Sequence, residues 1–234
     1  MSESLFTQLL DLACGAFLLA AVVVLWRREL AAIVRLFALQ GIALSAIALL
    51  LGVHEARWDL IVVAAGIGAL RAGLLPCLIR RALAELVADR ERGRAQPYAS
   101  SDEVRETRPL VNVAASLLTA AALTLLAYAV ARPLVELDPT PATRALPVGL
   151  AVVLIGFFVL VTRRRALAQV VGFLLLDNGI TATAFLATSG VPLIVELGVS
   201  FDVLLAVLVL QLLTVRVREA FGTTDIDDLR ELHD

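Results

Sequence analysis

The chain contains no lysine; all 20 of its basic residues are arginine. The two side chains are not physically interchangeable, but a compositional bias of the source explains the pattern more simply than a function does. Charge of either sign is also scarce. Only 18 % of the 234 residues are charged against 60 % hydrophobic, too few to cover the surface of a soluble domain of this size. The net charge of -2 carries no further information. Cysteine is limited to Cys14 and Cys77, far apart in apolar runs and outside any CxxC, so they read as small apolar side chains. A disulfide, an iron–sulfur cluster or a haem has no ligand set here. The opening MSESLFTQLLDL lacks the basic region and small-residue cleavage site of a signal peptide, so the first apolar run is expected to remain as a spanning helix. HExxH, Walker, Rossmann and nucleophile motifs are all missing, which argues against a self-contained enzyme.

What the sequence has is apolar length. Mean hydropathy is +0.89, and runs long enough to cross a bilayer, about 20 residues, recur from end to end. The spans read Leu5 to Trp26, Leu30 to Leu51, Leu60 to Ile79, Leu110 to Val130, Val148 to Val161 (lengthened by Arg144 to Leu146 and Thr162), Ala166 to Thr188, and Leu193 to Val215. Arg132 to Pro147, with Pro133, Pro139, Pro141 and Pro147, reads as a link. The expected architecture is all-α: a polytopic, multi-pass protein of the cell membrane with seven transmembrane helices, its N-terminus outside and its C-terminus cytoplasmic. With that orientation, fifteen arginines fall in inside segments and three, Arg57, Arg132 and Arg144, in outside ones. Six or eight spans scramble this bias. The mixed-charge stretch Arg81 to Arg108 is too short for a second domain and too balanced for a nucleic-acid arm, so no nucleic-acid partner is expected.

A shift of 138 residues lays Leu36, Gln40-Gly41-Ile42 and Ala46 on Leu174, Asn178-Gly179-Ile180 and Ala184. Helices 1 to 3 then correspond to helices 5 to 7, as parallel copies. The expected organisation is residues 1–81 as a first three-helix unit, 82–109 as a cytoplasmic connector, 110–131 as a linker helix, 132–218 as a second three-helix unit and 219–234 as an acidic cytoplasmic tail.

A charge near the bilayer centre costs roughly 2.5 to 3.5 kcal/mol on insertion scales, so buried acids stand out. Asp177 lies mid-span with Asn178 beside it, and Thr181 continues a polar patch. Glu196 sits near the outer interface, and Asp202, six residues on, lies about 9 Å deeper along a helix. Arg71 is the arginine near the middle of helix 3 that can answer these acids, with Pro76 following it. The functional reading is a proton relay, since acids held away from water can change protonation near neutral pH and pass protons through side chains and water. The plainer reading is a neutralising cluster that pins helices 3, 6 and 7 together. Gly66 and Gly68 read as a packing seam, Pro76 as a local kink and His54 as an interface residue.

At GFLLLDNGI, Gly172 to Ile180, and PLIVELGVSFDVLLAVLVLQLL, Pro192 to Leu213, the chain resembles component E of hydrogenase 4, a membrane subunit of formate hydrogenlyase-like complexes, and through it the small K-type membrane subunit of respiratory complex I. Residues 132–218 are the part similar to the K-type subunit, a three-helix protein with glutamates in its second and third helices. On that pattern Gly172 and Asn178 match. The first glutamate position falls on Leu174, for which Asp177 is the available substitute, and the second falls close to Asp202. In the first unit Leu36 and Gln40 stand where an acid is expected. Arg71 before Pro76 resembles the basic residue that component E carries in helix 3. The resemblance implies a subunit without catalysis of its own, beside antiporter-like membrane subunits of a complex I-like assembly, helping to couple redox chemistry to proton translocation. No cofactor is expected in this chain; iron–sulfur clusters and nickel–iron chemistry would belong to partner subunits. The alternatives are a structural subunit that docks antiporter-like partners and a stand-alone transporter.

Overall fold

The computed structural model describes residues 2–27, 30–78, 80–81, 112–162 and 166–188. These are all helical apart from short connections: α1 (Glu3–Trp26), α2 (Leu30–His54), α3 (Trp58–Ile67) continued by a π-helical segment (Gly68–Leu74), α4 (Val113–Leu137), α5 (Pro141–Thr162) and α6 (Ala166–Thr188). Six spans among the described residues, counting α3 through to Leu78 as one, are long and apolar enough to cross a membrane. The seventh expected span, the acidic tail and most of the polar connector lie outside the described residues.

The proline-rich stretch is where the fold departs from expectation. α4 continues through Pro133 to Leu137, and α5 begins at Pro141, so only three residues separate them. Proline suits the first helical position because the N–H it lacks has no partner there in any residue. Thr140 and Thr143 close a capping box around Pro141: the Thr143 N–H donates to Thr140 Oγ1 at 3.1 Å and the Thr140 N–H donates to Thr143 Oγ1 at 2.9 Å. Proline density therefore marks a helix start here, not a long link.

α5 and α6 form the closest pair in the fold, packed through glycine at seven-residue spacing on both helices. A Cβ on Gly149 would lie 2.8 Å from the Thr183 nitrogen, one on Gly172 2.7 Å from the Leu160 nitrogen, and one on Gly179 2.5 Å from the Val153 nitrogen. Backbones approach this closely only where side chains are missing. α6 packs on α2 with its other side, α1 packs on α2 and α5, α3 leans on α2, and α4 flanks α5 and α1. The core gathers Phe6, Phe17, Leu44, Ile47, Val152, Ile155 and Phe185 from these helices. Most of α4 stays outside it, with Leu118, Leu125 and Leu137 exposed.

At its far end α3 widens. The Leu75 N–H donates to the Leu70 carbonyl, five residues back, which is the π pattern. Pro76 follows at once. It cannot donate to the Ala72 carbonyl and its ring crowds that oxygen, so the kink expected at Pro76 takes the form of a wide turn just before it. Of the two seam glycines in this helix, only Gly68 is in close packing: a Cβ there would lie 2.9 Å from Ser45 Oγ, whereas Gly66 has nothing within 4 Å.

Candidate functional site

The π segment carries Arg71, and α6 supplies what surrounds it. Asp177 stands at the midpoint of the 23-residue α6, about 17 Å from either end at helical rise. Thr181 lies one turn on from both Asp177 and Asn178, at i+4 and i+3, so it stands above and between them on the side that faces Arg71. Arg71 Nη1 lies 2.6 Å from Asp177 Oδ2 and donates to Asn178 Oδ1 at 2.6 Å. Arg71 Nη2 donates to the Thr181 hydroxyl at 2.9 Å. The guanidinium is 1 % exposed, and Asp177, Asn178 and Thr181 are all buried.

The chemistry of the donors orders the rest of the network. Arginine only donates, so the Asn178 oxygen must face it. That leaves the Asn178 amide nitrogen to donate outward, and it does so to Gln40 Oε1 on α2 at 3.0 Å. The Gln40 oxygen is then committed, and its nitrogen, fully buried, has no hydrogen-bond partner among the described residues. An unmet buried N–H costs about 1 to 3 kcal/mol, which makes this end of the network the least settled.

Backbone geometry brings α2 close enough for this contact. A Cβ on Gly41 would lie 2.8 Å from the Arg71 carbonyl carbon and 2.9 Å from the Ala72 nitrogen, so α2 rests directly on the π segment. Beside the network Val34, Phe37, Leu75, Val170 and Leu174 form a separate apolar cluster. Its register, with that of Gln40 and Asn178, runs α2 and α6 in the same direction. The Gln40–Asn178 bond joins residues 138 positions apart, the same offset as the sequence shift that lays one on the other.

Three of the expected site residues, Arg71, Asp177 and Asn178, therefore meet. Glu196 and Asp202 lie outside the described residues. Gln40 and Thr181 were visible as polar residues in apolar helices but not as partners of this arginine. The 138-residue offset was the available signal for Gln40. For Thr181 it was the four-residue spacing from Asp177. The Arg–Asp pair joins the π segment to α6, and the Asn178–Gln40 bond adds α2, so the network can hold three helices in one arrangement.

No protein-family model matches the chain, and no solved structure matches it. The uncharacterized protein Rv0085 of Mycobacterium tuberculosis is 50 % identical over 234 residues, covering 100 % of both chains. Hydrogenase-4 component E of Escherichia coli (strain K12) is 33 % identical over 115 residues, 49 % of this chain and 53 % of that protein, and the component E of Shigella flexneri gives the same figures. The match to component E thus spans about half of each protein. Identity over the full length of both chains places this protein in the same family as the mycobacterial Rv0085, with a partial similarity to hydrogenase-4 component E.

Proposed function

We propose that this chain is a multi-pass membrane subunit of a complex I-related hydrogenase or oxidoreductase assembly, contributing to proton translocation and coupling. The observation that carries the reading is the buried pair of Arg71 and Asp177 at mid-height of spanning-length helices, tied by Asn178 to Gln40. The partial similarity to a hydrogenase-4 component supports the setting.

On this reading seven helices cross the membrane, with the N-terminus outside and the C-terminus cytoplasmic. Residues 1–81 and 132–218 are two related three-helix units. Antiporter-like subunits flank the chain, and iron–sulfur clusters and nickel–iron chemistry reside in partner subunits. A proton arriving at Asp177 cancels its charge and leaves the Arg71 guanidinium without a counter-ion. The uncompensated cation disfavours keeping the proton there and drives it on towards the next acid, for which Asp202 is the candidate and Glu196 the outer terminus. Asn178 and Thr181 hold the guanidinium in place meanwhile, so the arginine does not have to move for the step to occur.

A second reading has one observation in its favour. Asp177, Asn178 and Thr181, all from one helix, engage the same guanidinium, which suits a fixed brace between α3 and α6 that docks antiporter-like partners without moving ions. Asp177→Asn and Asp202→Asn separate the two. The relay reading expects normal membrane abundance and an assembled complex with proton pumping in vesicles reduced about tenfold or more, the scale on which a lost proton-transfer group acts. Unchanged pumping in both variants would remove the relay, and loss of the assembled complex would favour the brace. Copurification from detergent, with the associated chains identified, tests membership directly.

A further inference from the structure

Where α1 ends and α2 begins, two arginines have no acid to answer them. Arg27 closes α1, its N–H donating to the Val23 carbonyl at 3.1 Å. Arg35 stands five residues beyond Leu30, the start of α2, about 7 to 8 Å along that helix. Both arginines are exposed, and no carboxylate among the described residues lies within ion-pair distance of either. The two helices are antiparallel neighbours, as the stacking of Phe6 on His54 at their other ends shows. Arg27 and Arg35 therefore differ in height by about 5 to 8 Å, which an arginine bridges by extending its side chain along the helix. The exposed Trp26 lies beside them with the Arg27 guanidinium over its ring, 5.7 Å from the centroid. That contact holds the cation at the level where an aromatic ring marks the membrane surface.

Both arginines belong to the same side of the helix pair. Leu39 follows Arg35 by one turn on α2, and Ala16, Ala20, Val23 and Arg27 recur at steps of four, three and four residues on α1. These two stripes lead into an apolar groove of about 340 Å³ between α1 and α2, whose near end is lined by Ala16, Leu39 and Ala43. Leu39 lies nine residues beyond Leu30, about 13 to 14 Å along α2. A lipid chain from the leaflet on that side ends at this depth, since half of the hydrocarbon core is about 15 Å. A phosphate at the surface offers oxygens to two guanidinium forks at once. A zwitterionic headgroup brings a cation of its own, and free phosphate has no chain for the groove. We infer that this flank binds one anionic phospholipid, its phosphate clamped between Arg27 and Arg35 and one acyl chain running to the groove at Leu39. The site needs only that α1 and α2 cross a membrane, and it stands apart from the proton relay.

The test uses the purified full chain in detergent, with phosphatidylglycerol, phosphatidylcholine or inorganic phosphate added and lipid retention read by native mass spectrometry. One phosphatidylglycerol per chain is expected, held about twentyfold or more tighter than phosphatidylcholine. Each arginine near the membrane surface is worth roughly a factor of five for an anionic lipid. Arg27→Gln and Arg35→Gln should accordingly each loosen the lipid about fivefold, while Arg132→Gln on α4 changes nothing. Melting temperatures in phosphatidylcholine should be the same for all four proteins, which shows that the variants fold. A phosphatidylglycerol with a photoreactive group at its chain end should label the α2 peptide around Leu39. Equal retention of the two lipids, indifference to both arginine variants, or labelling confined to other helices overturns the assignment. If inorganic phosphate raises the melting temperature at the same concentrations as phosphatidylglycerol, the site is one for free anions and the assignment falls as well.

Discussion

One nitrogen of Arg71 serves two consecutive residues of α6, lying 2.6 Å from an Asp177 carboxylate oxygen and 2.6 Å from the Asn178 amide oxygen. The arginine arrives from a π turn of another helix, so the contact ties two elements far apart in the chain. Removing either member strands the other in a buried setting, which costs about 3 to 5 kcal/mol. Arg71→Leu and Asp177→Leu should each lower thermal stability in detergent by about that much. The double variant should recover at least about 1 kcal/mol of the summed loss, because the two positions are coupled. Strict additivity would mean that the pair is not formed.

Asn178 is the member whose loss spreads furthest. Asn178→Leu withdraws an acceptor from Arg71 and a donor from Gln40, whose side chain would then have no partner within the network. A destabilisation of about 2 to 4 kcal/mol is expected, against about 1 to 2 kcal/mol for Thr181→Val, which removes one acceptor. Adding Gln40→Leu to Asn178→Leu should restore part of the loss by removing the stranded amide. Denaturation midpoints of the four proteins check this order.

Backbone proximity gives a sharper contrast. Gly41→Ala and Gly179→Ala each place a methyl group within 3 Å of a neighbouring helix's backbone, which forces the helices apart at a cost of about 1 to 3 kcal/mol. Gly15→Ala and Gly66→Ala meet open space and should raise stability slightly, by up to about 1 kcal/mol, through helix propensity. Thermal midpoints in one detergent suffice; equal effects at all four positions would contradict the packing described.

The turn between α2 and α3 holds a local strain. Ala56 has φ 54°, the left-handed region, and the Arg57 N–H reaches back to the Gly52 carbonyl at 2.9 Å. Ala56→Gly should therefore stabilise the protein by up to about 1 kcal/mol. At the other short connection, Thr140→Ala should cost about 1 kcal/mol by opening the cap of α5. Both changes are distant from Arg71 and should leave any proton-coupled activity as it was.

Spanning helices were legible along the chain because each is a local property. A run of about 20 apolar residues specifies its own backbone hydrogen bonding in lipid whatever its neighbours do, and α6 falls on the bounds its composition indicates. The proline-rich stretch was misjudged for a local reason as well: Pro141 reads as a breaker unless Thr140 and Thr143 are seen as a cap. Asp177, Asn178 and Arg71 could each be singled out because a polar group in an apolar helix is costly.

Sequence alone therefore determined the helical character of the described residues, the bounds of most of the six spans among them, and which polar residues needed an explanation. Tertiary structure alone decided that Arg71 takes Asp177, Asn178 and Thr181 together, that Asn178 turns its nitrogen to Gln40, and that glycines set α5 against α6. Hydropathy has no azimuth. The direction in which a side chain leaves its helix matters only once a second helix lies against it, and that placement is set by packing across more than a hundred residues of chain.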